Sequence, residues 1–289
     1  MSERESLAGR LGVLGAAALF STGGAAIKLC SWGGWQVAGV RSLIAFLFLF
    51  AVLPSARRGW SWRIWMISSV YAATLIMFVS ANKLTTAANT IFLQATAPLY
   101  LLLISPWLLK ERVRRNDVIF MAALAIGMSC FFLGTEATTA IATHPKLGNA
   151  LAVASGLGWA LTIAGLRWAA QSAPGGPEAA ATAGNLVAAL VCIPFAWPLA
   201  SGSVTDWGAV LFLGVAQIGL AYVLLTRAMR FTPAFEASLL LLLEPVLNPI
   251  WAWLMHGERP GPWAIAGSSV ILAATAWHAW SQARRPKLP

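Results

Sequence analysis

The charges in this chain are spaced too widely for a water-soluble fold. Eight intervals contain no Asp, Glu, Lys or Arg: Leu11–Ile27, Ile64–Asn82, Leu84–Leu109, Val118–Thr135, Leu147–Leu166, Ala179–Thr205, Trp207–Thr226 and Pro260–Ala283. Each is long enough to cross the hydrocarbon core of a bilayer, about 30 Å thick, at about 1.5 Å of helix rise per residue. Two further apolar segments carry charge inside them: Gly34–Leu53 holds Arg41, and Ala234–Met255 holds Glu236 and Glu244. The pattern predicts an all-α polytopic membrane protein with ten transmembrane helices. Ten spans of about 21 residues occupy most of the 289, so the connections are short and no soluble domain fits between them. Any function has to sit within the membrane.

Composition agrees. Hydrophobic residues make up 58% and charged residues 10%, where a soluble domain carries about 25% charged. The mean hydropathy of +0.72 also excludes a disordered chain, which needs low hydrophobicity to stay unfolded.

A net charge of +10 raises the question of nucleic acid, and the placement of the charges answers it. If the helices alternate across the membrane from a cytoplasmic N-terminus, fifteen Lys and Arg fall inside and five outside (Lys28, Arg41, Lys83, Lys146 and Arg259). That is the positive-inside bias, and it places both termini in the cytoplasm. No basic helix or nucleic-acid module is present, so nucleic acid is not an expected partner. The apolar run after Arg10 continues for about 17 residues and its pattern recurs later, which makes it a retained first helix, not a signal peptide. Cys30, Cys130 and Cys192 show no CxxC spacing, and no His has metal-ligand spacing to another His or acid; neither disulfides nor a metal are expected. No P-loop is present, so ATP is not the direct energy source within this chain, and no cofactor is expected.

The chain repeats itself. At a shift of 147, Ala81, Leu93, Pro98, Glu111 and Arg112 coincide with Ala228, Leu240, Pro245, Glu258 and Arg259; at a shift of 136, Leu11-Gly12 coincides with Leu147-Gly148. A longer linker around Ser172–Pro177 would absorb the difference. Each copy holds five helices, an odd number, so the second must enter the membrane from the opposite side. The expected halves are residues 1–140 and 141–289. Inverted repeats of this kind are an architecture of secondary transporters.

The segments Pro98 to Glu111 and Glu244-Pro245 to Glu258, with Gly158-Trp159-Ala160-Leu161 in the sixth helix, resemble the drug/metabolite transporter superfamily, whose ten-helix, EamA-like members are built from two five-helix repeats. Within it the chain looks most similar to bacterial aromatic amino-acid exporters. The resemblance implies a central cavity between the halves, with helices one, three, four, six, eight and nine around it and the fifth and tenth at the periphery.

Polar groups in hydrocarbon are costly, so they default to a cavity or the bundle interior. Glu244 lies near the middle of the ninth helix, with Glu236 and Asn248 at i−8 and i+4 on one face. It is a candidate contact for a substrate amine or a coupling proton; the alternative is a buried structural carboxylate. Its repeat partner is Ala97, so the scaffold does not demand an acid there. In the fourth helix Thr90 and Gln94 continue a polar stripe from Thr86 towards Pro98. Pro98 and Pro245 each remove an intrahelical hydrogen bond and are candidate hinges, or static bends. Tyr100, Trp159, Thr162, Gln217, Tyr222 and Trp251 complete the candidate binding set, since aromatic rings offer planar apolar surface with few rotamers to freeze. Most other Trp residues, among them Trp32, Trp62, Trp197, Trp207 and Trp263, fall near span ends, where an interfacial belt is expected. Lys28 and Arg41 are placed near the outer ends of helices one and two, from which long cationic chains snorkel to the interface; a gating role is the alternative.

The resulting expectation is a multi-pass secondary transporter of the bacterial inner membrane, monomer or homodimer, with lipid bilayer and a small-molecule substrate as partners. It would export small amphipathic metabolites, aromatic or hydrophobic amino acids foremost, by alternating access. The same fold carrying cationic drugs, purines or nucleotide sugars is one alternative; a non-transport intramembrane enzyme or structural subunit is another.

Overall fold

The computed structural model describes residues 3–108, 115–133, 142–198 and 201–283. Glu111 and Arg112, the first-half copy of the Glu-Arg pair, lie outside the described residues, as does the expected boundary between the halves. Fourteen helices account for the described fold: α1 Glu3–Ser21, α2 Gly23–Leu29, α3 Gly34–Val52, α4 Trp62–Leu84, α5 Ala87–Gln94, α6 Ala97–Leu108, α7 Arg115–Leu133, α8 Pro145–Ser172, α9 Gly176–Ala196, α10 Val204–Phe212, α11 Ala221–Ala228, α12 Ala234–Leu240, α13 Leu243–His256 and α14 Pro262–Ala283. A π-helical segment, Leu213–Leu220, joins α10 to α11. No strand occurs among the described residues.

The fourteen helices form ten spans because several expected helices are broken in the middle. The first span is α1 with α2, the fourth α5 with α6, the ninth α12 with α13, and the eighth runs through the π segment. The first nine spans are each long and apolar enough to cross a membrane, and α14 is the tenth. Local chemistry sets their ends. The Ser61 hydroxyl accepts from the Ile64 amide and the Thr86 hydroxyl from the Asn89 amide, capping α4 and α5; Ser203 and Asp206 form a reciprocal capping box on α10. Pro145 and Pro177 occupy first-turn positions where a missing N–H costs nothing. Gly257 closes α13 in the left-handed conformation at φ 64°, which a glycine adopts without a Cβ penalty.

Packing follows a two-fold exchange of the halves. The first span packs on the eighth as the sixth does on the third, and the first packs on the ninth as the sixth does on the fourth. The second packs on the eighth as the seventh does on the third, while spans two and seven, four and nine, and five and ten pair with their own counterparts. With an odd number of spans per half, this is the inverted two-repeat architecture.

The helix starts revise the repeat offset. Gly34 and Gly176, and Trp62 and Val204, begin their helices 142 residues apart, whereas Ala87 and Ala234 are 147 apart. The extra residues therefore enter within the eighth span and the connection at 229–233, not around Ser172–Pro177, which is a short turn leading into α9. The π segment lies in that longer span, where wider turns accommodate inserted residues.

The fifth and tenth spans are peripheral. Only 28% of the apolar window of α7 is buried, against 67% for the fourth span, and Val118, Ile119, Ile126 and Phe132 are exposed as a lipid-facing surface requires. Trp62, Trp197 and Trp263 are exposed near span ends, but Trp32 is buried, its ring 5.0 Å from that of Trp207.

Candidate functional site

The breaks of the fourth and ninth spans fall at equivalent places, Ala95–Thr96 and Leu241–Leu242. Pro98 and Pro245 explain both. Each lacks the N–H that would bond the carbonyl four residues earlier, Gln94 and Leu241 respectively, and its ring pushes that carbonyl aside. The chain re-satisfies itself with tighter turns: the Leu99 amide donates to Thr96 O at 2.8 Å and the Glu244 amide to Leu241 O at 3.0 Å. Broken helices at corresponding positions of two inverted halves are where transporters of this architecture place their sites.

Two adjoining cavities lie at these breaks. One is lined by Gln94, Ala95, Pro98, Trp159, Leu241, Leu242, Glu244 and Pro245 among others, and the second by Phe20, Arg41, Thr74, Leu75, Phe78, Gln94, Trp159, Gln217, Ile218, Tyr222 and Glu244. Their volumes are about 10 and 40 Å³, space on the scale of single water molecules. A metabolite does not fit this space.

The walls are aromatic. The Phe20 ring meets Trp159 edge-on at 5.9 Å and Tyr222 at 5.1 Å, and Tyr71 meets Tyr222 at 4.9 Å. The Asn185 amide nitrogen donates to the Tyr71 hydroxyl at 2.8 Å. Two opposite charges interrupt these walls. Glu244 is buried, with no hydrogen bond or ion pair to its carboxylate among the described residues. Arg41 is buried at 1% exposure; one terminal nitrogen reaches Leu75 O at 3.5 Å and its Nε has no partner. Arg41 therefore does not snorkel to the interface, contrary to what its place near a helix end predicts. Helix α3 begins at Gly34, so Arg41 sits about 10 Å along it and enters the cavity.

Of the residues singled out from sequence, Glu244, Gln94, Trp159, Gln217, Tyr222, Pro98 and Pro245 line these cavities. Gln94 Nε2 donates to Ser155 Oγ at 3.2 Å, and Gln217 Nε2 to Phe20 O at 3.4 Å, beside the break between α1 and α2. The other five are placed elsewhere. The Thr90 hydroxyl donates to Thr86 O in its own helix, and the Tyr100 hydroxyl to Val153 O. Trp251 Nε1 donates to Ser21 Oγ. Thr162 is buried with an unpartnered hydroxyl, and both amide atoms of Asn248 are buried without partners, against Gly24, where a Cβ would lie 2.8 Å from Asn248 Nδ2. Glu236 pairs with Arg10 at 2.7 Å on the exposed surface, so it does not share a face with Glu244. Phe20 and Thr74 are lining residues that sequence reasoning missed, and Arg41 is one that it placed at the interface.

The Lys28 side chain is only 8% exposed and does not snorkel. Its Nζ donates to Thr85 O at 3.0 Å and lies 3.9 Å from Glu258 Oε2. Nearby, Lys83 Nζ donates to Cys30 O at 2.6 Å and the Ser31 amide to Asp206 Oδ1 at 2.6 Å. Together they fasten one end of the bundle. Among the described residues no group of three or more His, Cys, Asp or Glu could hold a metal.

Comparison with known proteins adds three findings. A model of the EamA-like transporter family matches residues 7–133 and 146–279, one match per half. No curated protein matches the sequence. A solved structure, described only as a crystal structure of a protein, covers 100% of this chain and 100% of its own at 21% identity and a TM-score of 0.68; at that identity the likeness speaks to the fold alone.

Proposed function

We propose, from the premise that the chain belongs to the EamA-like transporter family and is thus a polytopic membrane transporter of the drug/metabolite type, that it exports small amphipathic metabolites, with aromatic and other hydrophobic amino acids foremost. It does so in the inner membrane of a bacterium, with both termini in the cytoplasm and two halves of the chain, 1–140 and 141–289, alternating access about a central site. The observation that carries the reading is a single carboxylate, Glu244, set among the rings of Phe20, Trp159 and Tyr222 at the two broken helices. The rings supply planar apolar surface and the carboxylate supplies a place for an ammonium group or a proton. Gln94, Gln217, Pro98 and Pro245 complete the site, the two prolines acting as hinges.

Export of cationic drugs on the same scaffold is favoured by Glu244 but opposed by Arg41, a fixed cation in the same cavity. The test is uptake of a panel of radiolabelled amino acids into proteoliposomes, with and without a pH gradient. Concentrative uptake of phenylalanine or leucine is the expected result; uptake indistinguishable from that of empty liposomes across the panel overturns the reading.

A further inference from the structure

We infer that Arg41 and Glu244 form the two poles of a zwitterion clamp, Arg41 taking the substrate's carboxylate and Glu244 its ammonium, an inference that rests on the transport reading above. Three observations carry it. Both side chains line one cavity, and neither is neutralised by an ion pair among the described residues. Arg41 is 1% exposed, and its Nε faces no acceptor, so a guanidinium with five donors is left short of partners. Neither charge belongs to the scaffold: Glu244 corresponds to Ala97 at the 147 offset, and Arg41 to Ala183 at the 142 offset of the second and third spans. The symmetric fold is built with alanine at both places in the other half.

Two opposite charges in a low-dielectric cavity, each without its own counterion, are costly until a ligand brings both counterions at once. A zwitterion brings both within one molecule, and the rings of Phe20, Trp159 and Tyr222 in the same cavity offer apolar surface for the rest of it. A ligand bearing one charge satisfies one pole and desolvates the other unpaired. The clamp therefore selects for zwitterions over amines and over acids of the same ring.

The test is competition on the full-length wild-type protein in proteoliposomes with two matched series. The first is L-phenylalanine, phenethylamine and 3-phenylpropionate; the second is L-leucine, isoamylamine and 4-methylpentanoate. Each zwitterion is expected to be transported, and each single-charge analogue to compete roughly thirtyfold more weakly or worse, the factor typical of one buried charge left unpaired. Arg41→Gln should erase the preference for amino acid over amine, Arg41→Lys should restore part of it, and Glu244→Gln should erase the preference over the acid. An amine or acid that competes with wild-type protein as well as its amino acid overturns the clamp and leaves the transporter reading standing. Wild-type protein that moves no member of either series overturns both. The wild-type comparison decides the matter even where Arg41→Gln fails to fold.

Discussion

Lys28 Nζ stands 3.9 Å from Glu258 Oε2 with both side chains at least nine-tenths buried, and this pair ties the end of α2 to the segment that follows α13. The other oxygen of Glu258 accepts the Ala88 amide at 3.4 Å, an otherwise orphaned donor in the first turn of α5. One carboxylate thus joins the first, fourth and ninth spans at the end of the bundle opposite the Arg10–Glu236 pair. Removing one partner of a buried pair leaves the other charge uncompensated and costs about 3 to 5 kcal/mol, whereas replacing both is often near neutral. Lys28→Met should therefore lower the melting temperature in detergent, and Lys28→Met combined with Glu258→Gln should recover part of the loss. Additive losses in the double variant would show that the two charges do not support each other.

Glu244→Gln keeps the shape of the side chain and removes its charge. If the carboxylate binds a substrate ammonium or carries a coupling proton, transport into proteoliposomes should fall at least tenfold, a loss of about 1.4 kcal/mol or more, while yield and melting temperature stay near wild type. Unchanged transport would assign Glu244 to a structural role.

Gly156 lets α8 lie on the broken fourth span: a Cβ there would stand 3.1 Å from Leu93 O and 3.2 Å from Gln94 O. Both neighbours are backbone and cannot swing away. Gly156→Val should destabilise by about 1 to 3 kcal/mol, as overpacking does, and should disturb Gln94. Gly208, whose Cβ would meet nothing within 4 Å, supplies the control; equal melting shifts for Gly156→Val and Gly208→Val would refute the close-approach argument.

The fold was legible because charge is excluded from hydrocarbon, and the intervals between charges trace the spans almost directly. Glu244 was legible for the same reason, as a lone acid deep in a span. Arg41 was not: seven residues from a helix start, it satisfies the snorkelling rule on paper, and only the neighbouring helices close that route. Phe20 is one of thirteen phenylalanines and carries no mark of its place at the end of α1. The π segment that carries Gln217 and Ile218 into the cavity has no signature in Leu213–Leu220, since π turns arise from inserted residues and not from composition. Thr90 and Tyr100 have the residue types of a site, yet their hydroxyls are used up on backbone carbonyls.

Orientation is open to a direct labelling experiment. In a variant lacking Cys30, Cys130 and Cys192, a cysteine at exposed His144 should react with an impermeant reagent from outside intact cells, and a cysteine at exposed Arg58 should react only after lysis. Reversed accessibility would invert the assignment drawn from the positive-inside bias, and equal accessibility of both from one side would contradict the alternation of spans.

Cargo is the last expectation, and it follows from the rings. Trp159 belongs to both cavities and meets Phe20 edge-on, so truncating it removes apolar surface worth on the order of 3 kcal/mol when fully covered. Trp159→Ala should weaken transport of phenylalanine more than that of alanine. An apolar pocket distinguishes side chains differing by a methylene only about 10- to 200-fold, so large aliphatic and aromatic amino acids should compete with one another. Aspartate should not: Arg41 is the one cation among the described lining residues, and with the α-carboxylate on it the second carboxylate would be desolvated unpaired. Strong inhibition by aspartate, or a Trp159→Ala variant that treats phenylalanine and alanine alike, would count against aromatic cargo and leave the fold untouched.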